Sequence, residues 1–415
     1  MKLGVAKRCI TPRIPVRLCG YAGRTGSFEG VMEDIYVRVH WQETGATRLV
    51  LIYGDLLWWG SDFVETAQKE LLSKLGLKTG EVLFIASHNH SGPPTSDLFT
   101  DELETYSPKY AGQLLEAVIQ AAREASQNSE EVILKRYDGE AFLNVYRRVR
   151  CGERIEMRPN YEEPADHHIV VIEFERPDGT VKGRWVHYPC HANLSSGNQI
   201  HGDYPGVLLR KLDDKTPGCI SVFFQGCTGD LRPNCVLGNR FVPADWDKIQ
   251  NFAEQLEEII GEMLKGRGER IDGELILRHR EVPLSLENCR TDESLREIAE
   301  TSLSNLERQW AKAVLKKGNK NNETFKIQSV QYGTLQVFFF NAEISQFYAA
   351  YARKLFPGAL SAGYANGMIG YVMTAHQIKE GGYEPWESAK YFALSGTYVP
   401  EIEETIKNAI QNINN

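Results

Sequence analysis

Along the first third of the chain, apolar runs of strand length alternate with stretches of helical spacing. "YVRVHWQE" (36–43) alternates in character, and "TRLVLIYGDLLWW" (47–59) contains a buried-strand run that ends near Asp55. "VETAQKELLSKLG" (64–76) has helical spacing and stops at a glycine, after which "EVLFIASHNH" (81–90) returns to strand character. This βαβ order predicts an α/β protein, a mixed β-sheet core flanked by helices. Functional residues in such sheets gather where strands end, so Asp55 and His88 are expected on one rim.

Farther on, "HHIVVIEFE" (167–175) and "KGRWVHYPCH" (182–191) predict a hairpin turned at "RPDGT". "ISVFFQGCTGD" (220–230) reads as a strand entering a glycine turn, and "DWDKIQNFAEQLEEIIGEMLKG" (245–266) as a long helix. Residues 291–317 carry Leu295, Ile298, Leu303, Leu306, Trp310 and Val314, which predicts one helix closed by Lys316, Lys317 and Gly318. The polar run "KKGNKNNETFK" (316–326) predicts a surface loop. "LQVFFFNAEISQFYAAYARKLFPG" (335–358) predicts a strand, a turn at Asn341, Ala342 and Glu343, and a helix ending at Pro357 and Gly358. The sequence shows no internal repeat.

Composition narrows the function classes. The chain has 415 residues, 42% hydrophobic and 25% charged, with a net charge of −8. An acidic balance without a basic block argues against nucleic acid or an anionic membrane as the main partner. No stretch has the length of a signal peptide's apolar segment or a membrane span, so a cytoplasmic protein without stable membrane association is expected. The eight cysteines form no CxxC pair, which favours free thiols over a disulfide framework.

The candidate chemistry begins with "SHNHSGP" (87–93), where an H-x-H at a strand end points both imidazoles to one face. A second cluster, "HYPCHANLSSGNQIHGDYPG" (187–206), supplies His187, His191, His201 and Asp203. Glu343 follows the apolar run "VFFF", and Tyr371 lies in "GYANGMIGYVMT". Each residue alone has an ordinary structural reading as a cap, a core histidine or a sheet tyrosine; only their company suggests a metal site.

Seven segments, in this order, resemble the N-terminal catalytic domain of the neutral/alkaline non-lysosomal ceramidase family. They are "GVAKRCITP…GYAGR", "SHNHSGP", "NVYRR", "CHANL…GDYPG", "QGCTGDLRPN", "FNAEISQF" and "GYANGMIGYVMT…GGYEP". The resemblance implies one catalytic domain over 1–415, and a zinc ion held by His88, His191, Glu343 and Tyr371. His187 is the alternative to His191. It further implies that His90, Arg147 and Tyr383 contact the scissile amide or its developing oxyanion. Two imidazoles and a carboxylate suit Zn²⁺ and leave room for a water that the metal activates.

Three departures bear on substrate. The family segment G-D-x-S-P-N reads "GDLRPN" here, with Arg232 in place of a catalytic serine. The family's C-terminal immunoglobulin-like domain and a secretion signal are both expected to be absent. The expected function is therefore zinc-dependent hydrolysis of an amide, or an ester, in a small polar substrate. True ceramidase activity and a catalytically silent ligand-binding homologue remain alternatives. Arg232 is expected either to bind a carboxylate or phosphate on the substrate or to pair internally with Asp230 or Asp203. Asp55 and Asp203 are candidates to orient ligand histidines, Cys190 and Cys227 are expected as inert buried thiols, and the oligomeric state is open.

Overall fold

Three five-stranded sheets form among residues 1–414, the residues that the computed structural model describes. Each follows one order of elements. In the first, Lys2–Cys9 lies antiparallel to Tyr36–Thr44, which forms a hairpin with Thr47–Gly54; helix Ser61–Leu75 then leads to Val82–Ala86, parallel to Thr47–Gly54. In the second, the roles fall to Ile133–Glu140, the hairpin His168–Glu175 with Val181–Tyr188, helix Asp203–Lys215 and the parallel strand Ile220–Gln225. In the third they fall to Leu275–Glu287, the hairpin Asn322–Tyr332 with Leu335–Phe340, helix Gln346–Leu355 and Leu360–Ala362. The repetition is one of topology. It needs only matching hydrophobic patterns and turn positions, not matching residues, which is why no repeat shows in the sequence.

The apolar runs are continuous because the sheets are covered on both faces. Leu49, Leu51 and Tyr53 enter a core shared by all three sheets, with Trp185, Phe223, Val337 and Phe339. Val50 and Ile52, one position out of phase, join a second core that includes Phe63 and Leu71 of helix Ser61–Leu75, Leu114 and Val118 of helix Pro108–Gln127, and Phe338 and Phe340. A smaller sheet, Leu231–Pro233, Asn144–Cys151 and Arg154–Asn160, lies apart from these three. Isolated bridges from Ile85 to Ala365 and from Gly226 to Ala362 draw the ends of the last strands together.

The βαβ unit, the hairpin at residues 176–180 and the helix Trp246–Leu264 agree with the sequence pattern. Two expectations are corrected. Residues 291–317 form two helices, Asp292–Thr301 and Asn305–Lys317. Ser304 caps the second, its side chain accepting from Glu307 N, and Leu303 in the break is fully exposed. A serine's preference for a cap outweighs one apolar position in the periodicity. The polar run at 316–326 is only half a loop, because strand Asn322–Tyr332 begins inside it and buries Phe325 completely.

Replacing Phe339, buried where the three sheets meet, with alanine is expected to lower the unfolding free energy by about 3–5 kcal/mol in a urea titration. Leu303→Asp, in the exposed break, is expected to change it by no more than about 0.5 kcal/mol.

Candidate metal centre

The loops that follow the third and fourth strands of each sheet converge on one point. From the first sheet come Leu57, and then His88 and His90; from the second, His191 and Thr228; from the third, Glu343 and Tyr364. The H-x-H does not work by strand alternation as expected. The strand stops at Ala86, and His88 has φ 61° in the loop beyond. Asn89 pins that loop, its Nδ2 donating to the carbonyls of Asp55 at 3.2 Å and His201 at 2.7 Å.

The result is a buried triangle of imidazoles. Nε2 of His88 lies 2.9 Å from Nε2 of His191 and 3.2 Å from Nε2 of His90, and the His90 to His191 edge is 3.0 Å. Each Nδ1 instead faces a backbone carbonyl: His88 that of Leu57 at 3.0 Å, His90 that of Gly20 at 3.2 Å, His191 that of Thr228 at 3.3 Å. A carbonyl only accepts, so these contacts place the proton of a neutral ring on Nδ1 and leave Nε2 as a bare lone pair. At His191 the Arg147 Nη1, which can only donate, lies equally close to Nδ1 at 3.3 Å, so the two contacts to this nitrogen call for opposite tautomers. Burial above all, then the neighbouring His88 and nearby arginines, holds His90 and His191 well below the ordinary histidine range, so both rings are neutral.

Nitrogen lone pairs brought this close repel unless a cation or a shared proton lies between them. Glu343 Oε2 is 3.2 Å from His88 Nε2, and it is buried without a hydrogen-bond donor. A tetrahedral ion with nitrogen ligands at about 2.05 Å has ligand-to-ligand edges of roughly 3.3 Å, close to the edges of this cluster. The donor set thus fits a divalent cation that takes imidazole and carboxylate. His90, expected to contact substrate, has its Nε2 in the same cluster as the expected ligands His88 and His191.

Around the triangle, Tyr364 stacks on His88 with ring centroids 4.0 Å apart, and its hydroxyl lies 2.6 Å from Thr228 Oγ1. Tyr364 was not singled out from the sequence, although it lies in the segment "GYANG". Tyr371 pairs with Glu343 across two short parallel strands, and its ring is 5.7 Å from that of Tyr383 and 5.4 Å from the Arg147 guanidinium carbon. Burial, with the Glu343 carboxylate nearby, pushes both phenols up, so Tyr371 and Tyr383 remain protonated donors.

Glu384 is a second residue that sequence reasoning passed over. It accepts from Arg147 Nε at 2.9 Å and from Arg148 Nη1 at 2.5 Å, with all three side chains buried. One carboxylate therefore ties together the guanidinium groups of two adjacent residues, leaving Arg147 Nη2 buried and without a partner. A cleft of about 1010 Å³ is lined by Arg148 and includes none of the three imidazoles.

Several expected roles fall elsewhere. His187 contacts the carbonyl of Ser361 at 3.0 Å and takes no part in the triangle. Asp55 accepts from Tyr36 N and the Tyr53 hydroxyl, and Asp203 from Leu194 N and Tyr204 N, so they order backbone and not the ligand rings. Burial raises the thiols of Cys190 and Cys227 well above their ordinary value, as inert cysteines require. Arg232 pairs with neither Asp230 nor Asp203. Its Nη1 meets Met157 Sδ at 3.6 Å, and its guanidinium lies 4.8 Å over the Phe241 ring.

No protein-family model matches the chain, and no curated protein does. Two solved structures share its architecture. The crystal structure of neutral ceramidase from Pseudomonas aeruginosa superposes with a TM-score of 0.78 at 18% identity, covering 99% of this chain and 73% of that one. A ceramidase complexed with C2 gives a TM-score of 0.78 at 17% identity, covering 99% of this chain and 74% of that one. The resemblance carried by seven short motifs extends to nearly every described element, and the chain has the neutral ceramidase fold.

Proposed function

We infer that this protein is a metal-dependent hydrolase, with zinc as the metal, that cleaves an amide bond in a small polar substrate. The observation that carries the reading is the meeting of three imidazole Nε2 atoms beside an orphaned carboxylate oxygen in a buried site. His88, His90, His191 and Glu343 would hold the ion, with Tyr371 next to Glu343. When bound, such an ion supplies Lewis acidity toward water and toward a substrate carbonyl.

The chain's own groups supply the rest. Arg147, fixed through Nε by Glu384, places Nη1 3.3 Å from His191 Nδ1 and its guanidinium carbon 5.4 Å from the Tyr371 ring. A guanidinium held in this way stabilises the negative charge that develops on the carbonyl oxygen, and needs no reorientation to do so. The Tyr383 hydroxyl, kept protonated, is a second donor to that oxygen. Hydrolysis breaks the C–N bond: the oxygen of water stays on the acyl carbon, and a proton passes to the leaving nitrogen. Tyr364 and Trp58 flank His88 and keep bulk water from its ring. The replacement of a serine by Arg232 fits a mechanism in which water, and no side chain, attacks.

His191→Ala is expected to abolish stoichiometric zinc, read by elemental analysis, together with hydrolysis of N-acyl compounds. Retention of both would overturn the assignment. Zinc added to chelator-treated protein should raise the melting temperature in wild type and fail to do so in His191→Ala, because a ligand that binds only the folded state stabilises it. Glu384→Gln should keep the zinc but lower kcat about 10²-fold, similar to the loss of one oxyanion donor. A loss confined to KM would show instead that Arg147 serves only binding.

A further inference from the structure

Arg232 lies on the short strand Leu231–Pro233, directly opposite Val145 in the antiparallel pairing with Asn144–Cys151. Opposed residues share a sheet face, and so do residues two apart on one strand. Arg232 and Val145 therefore share a face, and Arg147 follows two residues along the same strand, at the irregularity between Tyr146 and Arg148.

Arg232 is half-buried, and the fully buried arginines have oxygen partners. Arg38 has Asp213, Arg184 has Glu173, Arg147 and Arg148 share Glu384, and Arg24 donates to three backbone carbonyls. Arg232 has no carboxylate partner among the described residues. Its Nε is buried without an acceptor, its Nη1 meets only a thioether, and its flat face rests on Phe241. Removing a guanidinium from water without an anion is costly. Its environment suits an incoming oxyanion, because an aromatic platform fixes the plane of the fork and leaves its edge free to donate. A cleft of about 400 Å³ opens at this point, lined by Glu156, Met157, Arg158, Arg232, Arg240 and Phe241. Glu156 is taken up by Arg158 at 2.7 Å, so the cleft retains an excess of positive charge from Arg232 and Arg240.

We propose that Arg232, with Arg240 at the rim, recognises an oxyanion on the substrate, so that the amide cleaved belongs to an N-acyl compound bearing a carboxylate or phosphate. The proposal rests on the amide-hydrolase reading and narrows its substrate class. Two strand positions span about 7 Å, which sets the anion a few bonds from an amide placed at Arg147.

The test uses the zinc-loaded full chain and two matched pairs. One pair is N-hexanoylglycine with N-hexanoylglycinamide; the other is N-hexanoyl phosphoethanolamine with N-hexanoylethanolamine. In wild type the anionic member of one pair is expected to have a kcat/KM about tenfold or more above its neutral partner, through KM. Which pair shows it identifies the oxyanion. Arg232→Met should erase that preference while keeping the zinc, and Arg232→Lys should restore part of it. Equal turnover of both members in wild type, or a preference that survives Arg232→Met, overturns the proposal. If no compound is hydrolysed, the hydrolase reading fails for this panel, and calorimetric binding of the same four compounds decides the rest. An anionic member that binds wild type but not Arg232→Met sustains anion recognition; equal binding by the two proteins, or none, overturns it.

Discussion

The structure is organised around a repulsion. Three imidazoles are held with each Nδ1 against a backbone carbonyl, so their Nε2 atoms face one another across 2.9 to 3.2 Å in a buried interior. Each is clamped by a carbonyl from a different loop: Gly20 near the N-terminus, Leu57 after one strand and Thr228 after another. A cation between the nitrogens would offset the cost of bringing their lone pairs together.

The topology explains how so many loops reach one point. In each sheet the third strand and the parallel fourth end beside each other, so two carboxyl ends leave each sheet side by side. Three sheets packed around a shared apolar core thus deliver six loops to one place. Ligands in α/β sheets bind beyond the carboxyl ends of strands. Here that rule holds three times over, with imidazoles from two sheets and the Glu343 carboxylate from the third.

Between this centre and the cleft lined by Arg148 stands the Arg147, Glu384 and Arg148 bridge. Its value is positional, since a buried ion pair contributes little net stability once desolvation is counted. A carboxylate shared by two adjacent guanidinium groups fixes this part of the strand Asn144–Cys151 and sets where Arg147 can reach. The same strand, through its pairing with Leu231–Pro233, sets the position of Arg232.

Strand and helix content was legible in the sequence, because two-faced burial leaves continuous apolar runs and amphipathic helices leave a 3.6-residue period. The ligand candidates His88, His191 and Glu343 were legible as well, through short motifs that place small or polar residues just past such runs. The break at Ser302 to Ser304 was hidden, because a cap is a local hydrogen bond that periodicity does not register. The threefold topology was hidden too, since strand pairing depends on pattern and leaves residue identity free. Tertiary structure alone decided that His90 joins the triangle, that Asp55 and Asp203 order backbone, and that Arg232 has no internal carboxylate. Each of these turns on distances between residues far apart in the chain. Sequence determines which groups are available and which segments bury them; only packing determines which lone pairs and charges are left to face each other.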